Sequence, residues 1–147
     1  MRYAGARGPP RTGMHRMTRL FSKDFTARSE HIDELGHVNN AVWVQWIQDL
    51  ATSHWESAAR EEDRAAFFWV VTRHEIDYRG NVDEGQTVTG RTWIEGEPRG
   101  ATSVRRVEFR NEGGKVIVSA STTWAMLDRE TKRLVRVRSE VLAPFRD

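Results

Sequence analysis

The order of hydrophobic periods in this 147-residue chain predicts an α+β domain, one long central helix wrapped by a curved antiparallel sheet of five or six strands. Three observations carry that expectation. Two-residue alternation runs through most of the chain after residue 18. A single segment, residues 40–60, has the helical period. The last three alternating runs are joined by connections too short for parallel crossovers, which need a dozen or more residues.

Phe21, Lys23, Phe25 and Ala27 share one face of a first strand. In the helical segment, Trp43, Trp46, Ile47, Leu50 and His54 form one strip, and Val44, Ala51 and Trp55 add a second, so most of the girth is apolar and calls for burial. Phe68, Val70, Thr72, His74, Ile76 and Tyr78 are expected on one face of a second strand. Val88, Gly90, Thr92 and Ile94 mark a third strand, and Ser103, Arg105, Val107 and Phe109 a fourth. A fifth runs through Val116, Val118, Ala120, Thr122, Trp124 and Met126, with Asn111–Gly114 as the hairpin turn before it. After a turn at Asp128–Arg133, Leu134–Val137 is read as a last short strand, and Ser139 as the cap of a terminal helical turn ended by Pro144.

The chain has the size of one globular domain, read as residues 18–147 with a tail, 1–17, in front. That tail mixes Gly5, Gly8, Pro9, Pro10 and Gly13 with arginines, a composition expected to stay disordered because it buries too little apolar surface to offset ordering. Met14 and Met17 are alternative starts. The net charge of +2 is uneven: Arg2, Arg7, Arg11, Arg16 and Arg19 stand in the first 20 residues without an acid. Removing these five from the 23 basic residues leaves 18 against 21 acidic, so the body carries −3 and nucleic-acid binding is not expected. No apolar run suits a secretory signal or a membrane span. The chain has no cysteine, which removes disulfides, thiolate metal sites and thiol nucleophiles, and a cytoplasmic location is expected.

The densest polar cluster, His31 to Asn40, stands directly before the helix. Asparagine at a helix start accepts from free backbone donors, and those donors with the helix dipole favour an oxygen acquiring negative charge. Gly36 permits a tight path that brings Asp33 back toward this end. A carboxylate beside a helix N-terminus suits acyl hydrolysis, since one group attacks or activates water while the other holds the oxyanion. His31, Asp33 and His37 also invite a metal reading, but nothing nearby completes a site and no metal or cofactor is expected.

The run Asp33-Glu-Leu-Gly36-His37-Val-Asn39-Asn40-Ala-Val-Trp43, followed by a Trp-rich helix and long strands, resembles the acyl-CoA thioesterases of the hot-dog fold, the 4-hydroxybenzoyl-CoA thioesterase-like group, over residues 18–145. The resemblance implies a hydrolase acting on an acyl-CoA thioester. Asp33 matches the family's nucleophile or general base, and Asn40 the helix-start N–H that polarises the thioester carbonyl. His37 matches a histidine of the His-Val-Asn-Asn branch, which includes the plant acyl-carrier-protein thioesterases. That plant group has asparagine where this chain has Leu35, a departure that argues for the simpler mechanism of Asp33 with a helix N-terminus. Gly36, Asn39, Trp43 and Trp46 beside the reaction centre, and Arg99 and Ser103 on a bordering segment, are the substrate-binding candidates. A homodimer or homotetramer with active sites at the subunit boundary is implied as well. The rival reading is an acyl-CoA or acyl-carrier-protein binding module with little turnover.

Other polar residues have plainer readings. His54 is expected as a satisfied core histidine, Asp49 as a solvated or paired acid, and Arg79, Arg91, Arg99 and Arg105 mainly as arginines on exposed strand faces.

Overall fold

The computed structural model describes residues 19–146; the tail expected over residues 1–17 lies outside the described residues. The described strands are β1 (Phe21–Thr26), β2 (Phe67–Tyr78), β3 (Thr87–Arg99), β4 (Thr102–Arg110) and β5 (Val116–Asp128). They form one sheet in the order β1-β3-β4-β5-β2 with every pair antiparallel. The helices are α1 (Asn40–Ala58), α2 (Glu61–Ala66) and α3 (Ser139–Leu142). No described helix is long and apolar enough to cross a membrane.

The long helix packs on one face of this sheet, which is the hot-dog arrangement. Its buried strip, Trp43, Ile47 and Leu50, meets Phe25, Val88, Val107 and Phe109 in one apolar cluster. Burying each such side chain contributes on the order of 1.5–3 kcal/mol, so this strip holds the helix to the sheet. Gly90 lets the helix come close, because a β-carbon there would stand 3.0 Å from both Leu50 and Phe109. A second cluster gathers Met126, Ile94, Leu142 and Phe145 around the far end of α1. Between the two runs a polar seam of His54, Thr92, Arg105 and Thr122, all buried.

The alternation expected for β3, β4 and β5 is present residue for residue on the inward face at Val88, Thr92 and Ile94, and at Ser103, Arg105, Val107 and Phe109. In β2 the expected face is right for His74 and Ile76, whereas Val70, Thr72 and Tyr78, also expected on it, are exposed. A bulge between Val71 and Arg73 shifts the register, so Val71 stands opposite Trp124 and Trp69 opposite Met126, with His74 opposite Thr122. The extra residue reverses the phase of the alternation, placing Trp69 rather than Val70 against the core.

The expected strand at Leu134–Val137 is also corrected. Leu134 makes only an isolated bridge to Leu127, after which Val135 N–H bonds the Met126 carbonyl and Val137 N–H the Gly100 carbonyl. The segment crosses from β5 to the β3–β4 turn and never runs along one neighbour. Ser139 does not cap α3. It is the first residue of the helix, Arg138 is the cap position, and Pro144 lies within a further 3₁₀ turn over Ala143–Phe145. The helix α2 has no counterpart in the sequence reading, because six residues are too few to show a period. Its acidic first turn of Glu61, Glu62 and Asp63 suits a helix N-terminus, and Arg60 grips the buried Asp63 with two bonds of 2.9 and 3.0 Å.

Candidate active site

The segment between β1 and α1 folds back on itself. Ile32 and Val38 form an antiparallel bridge, Asp33 N–H donates to the His37 carbonyl at 2.8 Å, and Asn39 N–H donates to the His31 carbonyl at 2.9 Å. The turn at the tip needs Gly36, whose φ is +81°, and a β-carbon there would touch nothing, so the demand is conformational rather than spatial. Asp33 Oδ1 accepts from the N–H groups of Leu35 at 2.9 Å and His37 at 3.2 Å. One carboxylate oxygen is thereby held, and Oδ2 has no protein partner among the described residues. The carboxylate is half-buried.

The other arm of this ladder leads into α1. Asn39 is the N-cap, with extended backbone and its Oδ1 accepting from Ala41 N–H at 2.8 Å. The Asn39 carbonyl takes the N–H groups of Val42 and Trp43. Among the described residues no acceptor meets Asn40 N–H, which leaves a donor at the positive end of a 19-residue helix. Asp33, Gly36, His37, Asn39 and Asn40 are thus brought together by one local ladder. His37 meets Asp33 through its main chain, and its side chain is exposed.

The ladder is anchored from a distance. Asn81 Oδ1 accepts from Val38 N–H at 3.0 Å and Val82 N–H at 2.8 Å, tying the site segment to the loop before β3. Sequence reasoning missed Asn81, and the only local signal for it was an asparagine after Gly80.

Trp43 is fully buried and packs edge-on against Phe109 at 5.1 Å. Trp46 stacks on Phe25 at 5.3 Å and meets the His31 ring edge-on at 5.4 Å. Both are core rings behind the site. His31 Nδ1 accepts from Arg28 N–H at 2.9 Å, which engages one of its two ring nitrogens. Among the described residues no group of three or more His, Cys, Asp or Glu is placed to hold a metal ion. Asp49 is paired, with Lys23 Nζ 3.2 Å from its carboxylate.

Arg99 and Ser103 stand elsewhere in the same protomer. Arg99 is exposed at the end of β3 farthest from the Asp33 loop, and Ser103 is buried on β4 opposite Trp124. Arg91 lies on a partly exposed face beside Glu108, but Arg105 does not keep the sheet soluble: it is 6% exposed and points into the seam. The signal was present in the sequence, since Arg105 alternates in phase with Val107 and Phe109. Its Nη1 donates to His54 Nδ1 at 2.9 Å and to Thr92 Oγ1 at 3.2 Å. Burial, and then the adjacent guanidinium, push the His54 pKa down to about 3, so it is a neutral acceptor here. Burial alone lowers Arg105 to about 10. His74 is lowered by burial too, with Nδ1 3.0 Å from Thr122 Oγ1.

Residues 18–145 match the model of the acyl-ACP thioesterase N-terminal domain. The palmitoyl-acyl carrier protein thioesterase of Gossypium hirsutum is 26% identical over 140 residues, covering 86% of this chain and 33% of that protein. An acyl-[acyl-carrier-protein] hydrolase of Cuphea viscosissima is 22% identical over 130 residues, 82% of this chain and 32% of that one. The chain therefore spans about a third of the length of the curated relatives it matches. Among solved structures, an acyl-ACP thioesterase from Bacteroides thetaiotaomicron superposes with a TM-score of 0.71 at 20% identity, over 80% of this chain and 49% of that one. A DHNA-CoA thioesterase from Staphylococcus aureus gives 0.70 at 19%, over 80% of each chain. These two share the fold. The family match over nearly all the described residues, joined to the Asp33 turn and the capped helix start, makes this chain a member of the acyl-ACP thioesterase N-terminal domain family.

Proposed function

We propose that this chain hydrolyses an acyl thioester of CoA or acyl carrier protein, with Asp33 as nucleophile or general base and the Asn40 N–H as the oxyanion donor. The observation that carries the reading is the shared ladder: it holds one Asp33 oxygen, leaves the other open, and ends in an unpartnered N–H at the start of α1. As general base, Asp33 takes a proton from water while the water oxygen bonds the thioester carbon. The carbonyl oxygen becomes the oxyanion at Asn40, and collapse expels the thiolate, which the proton then neutralises. As nucleophile, Asp33 first forms an anhydride with loss of thiolate, and water cleaves it. Labelled-oxygen transfer into the Asp33 carboxylate distinguishes the two routes.

A thiol-release assay over a panel of acyl thioesters tests the proposal. Asp33→Asn, folded by circular dichroism, is expected to lose nearly all turnover; undiminished turnover refutes the role of Asp33. Saturable acyl-CoA binding with no thiol release by the unaltered protein would instead favour the binding module.

The outer edge of β2 is unpaired among the described residues, and Val70 on that strand and Leu35 beside Asp33 are 38% and 80% exposed. Long unpaired edges invite pairing with another chain. These features support a homodimer or larger homo-oligomer joined through this strand. Light scattering at micromolar concentration is expected to give at least twice the chain mass, and a monomer removes the assignment.

A further inference from the structure

A cavity of about 190 Å³ lies under the C-terminal half of α1, between that helix and strands β2, β3, β4 and β5. We infer that it is a binding site for a small aromatic carboxylate. This assignment stands on the cavity alone and does not rest on the hydrolysis reading. On α1 its lining begins at Ala51, 11 residues beyond Asn40, so by the helix rise it begins roughly 16 Å along α1 from the oxyanion donor.

Size, walls and polar groups each narrow the ligand. A dry cavity of about 150 Å³ is known to take up benzene, so this one accommodates a single ring with a carboxylate-sized substituent. Five rings line it, Trp55, Trp69, Trp124, Phe68 and Phe145. The offset and edge-on contacts that such walls offer favour an aromatic guest over a flexible chain.

Several residues of the lining carry buried donors without acceptors. Ser103 Oγ, Trp69 Nε1 and Trp124 Nε1 are buried with no hydrogen-bond partner. Ser103 is 5% exposed and Trp124 8%. Arg105, which also lines the cavity, has the neutral partners His54 and Thr92, and no carboxylate pairs with it among the described residues. A buried cation without a counter-ion and a set of unused donors call for an anionic, acceptor-rich group. A carboxylate supplies both charge and lone pairs, and the guanidinium fork suits its geometry. At the rim Glu56 and Arg129 are both exposed, one opposing an anion and the other attracting it.

Benzoate is the probe, with benzyl alcohol removing the charge and hexanoate the ring. Calorimetric titration of the full chain is expected to show one saturable benzoate site per chain. Benzoate should bind about tenfold or more tighter than either control, the margin a charge-assisted bond supplies. Trp124→Phe keeps the ring and removes one donor, and Ser103→Ala removes another; each should weaken benzoate about fivefold. Arg105→Lys, which loses the fork, should weaken it further, and where that variant fails to fold the other two decide. The inference is overturned by the absence of saturable binding, by benzyl alcohol or hexanoate binding as tightly as benzoate, or by unchanged benzoate affinity in both Ser103→Ala and Trp124→Phe.

Discussion

Acidification should reveal the buried histidine. His54 is 4% exposed, stacked on Phe21 at 4.9 Å and edge-on to Phe145 at 4.8 Å, with Arg105 Nη1 donating to its Nδ1. Its pKa falls from 6.5 in the unfolded chain to about 3 in the folded one. Between those values the unfolded state binds the proton and the folded state does not, so stability is full above pH 6.5 and is lost as the pH falls toward 3. Each pH unit in that window is worth about 1.4 kcal/mol, which gives a loss of about 2.7 kcal/mol for the two units from 6.5 to about 4.5. Urea unfolding followed by tryptophan fluorescence at pH about 7.5 and about 4.5 measures the change. His54→Gln is the reference, because its amide oxygen still accepts from Arg105 and does not titrate. The His54→Gln protein should lose about 2.7 kcal/mol less than the unaltered protein over this interval, since every other titrating group is common to both. Parallel pH profiles for the two proteins would refute the burial and Arg105 argument.

Two further perturbations address the site. Asn39→Ala removes the cap bond to Ala41 N–H and should cost about 1 kcal/mol, read as a lower urea midpoint at unchanged slope. Asn81→Ala strands the N–H groups of Val38 and Val82, with an expected loss of about 1–3 kcal/mol and a fall in kcat as the Asp33 ladder loosens. Asn81→Asp, whose carboxylate accepts the same two bonds, should restore most of that turnover; equal kcat in all three proteins would show that Asn81 does not position the site.

The contrast between legible and hidden features follows sequence distance. In β3, β4 and β5 a two-residue period with one buried face left a trace at each of Val88, Ser103 and Val118, because a one-residue slip would expose the whole face. The Asp33 site was legible for a similar reason: its turn, its glycine at φ +81° and its capping asparagine lie within eight residues of one another, and local turn chemistry is written in adjacent residues. The bulge at Val71–Arg73 was not legible, since nothing in Val-Val-Thr-Arg states where the pairing with β5 skips. Leu134–Val137 read as a strand because its neighbours look suitable, whereas its bonds go to two different partners, Met126 and Gly100.

By itself the amino-acid order determined the α+β class, the central helix, the inward faces of three strands and the compact motif at Asp33. Only the tertiary structure decided the sheet order β1-β3-β4-β5-β2, the anchoring of the site by Asn81, and the meeting of Arg105 with His54 across 51 positions of sequence. Periodicity and turn chemistry are properties of neighbours along the chain. Strand pairing, the closing of a cavity and the desolvation of a charge depend on which distant surfaces meet, and that is settled by packing the whole domain at once.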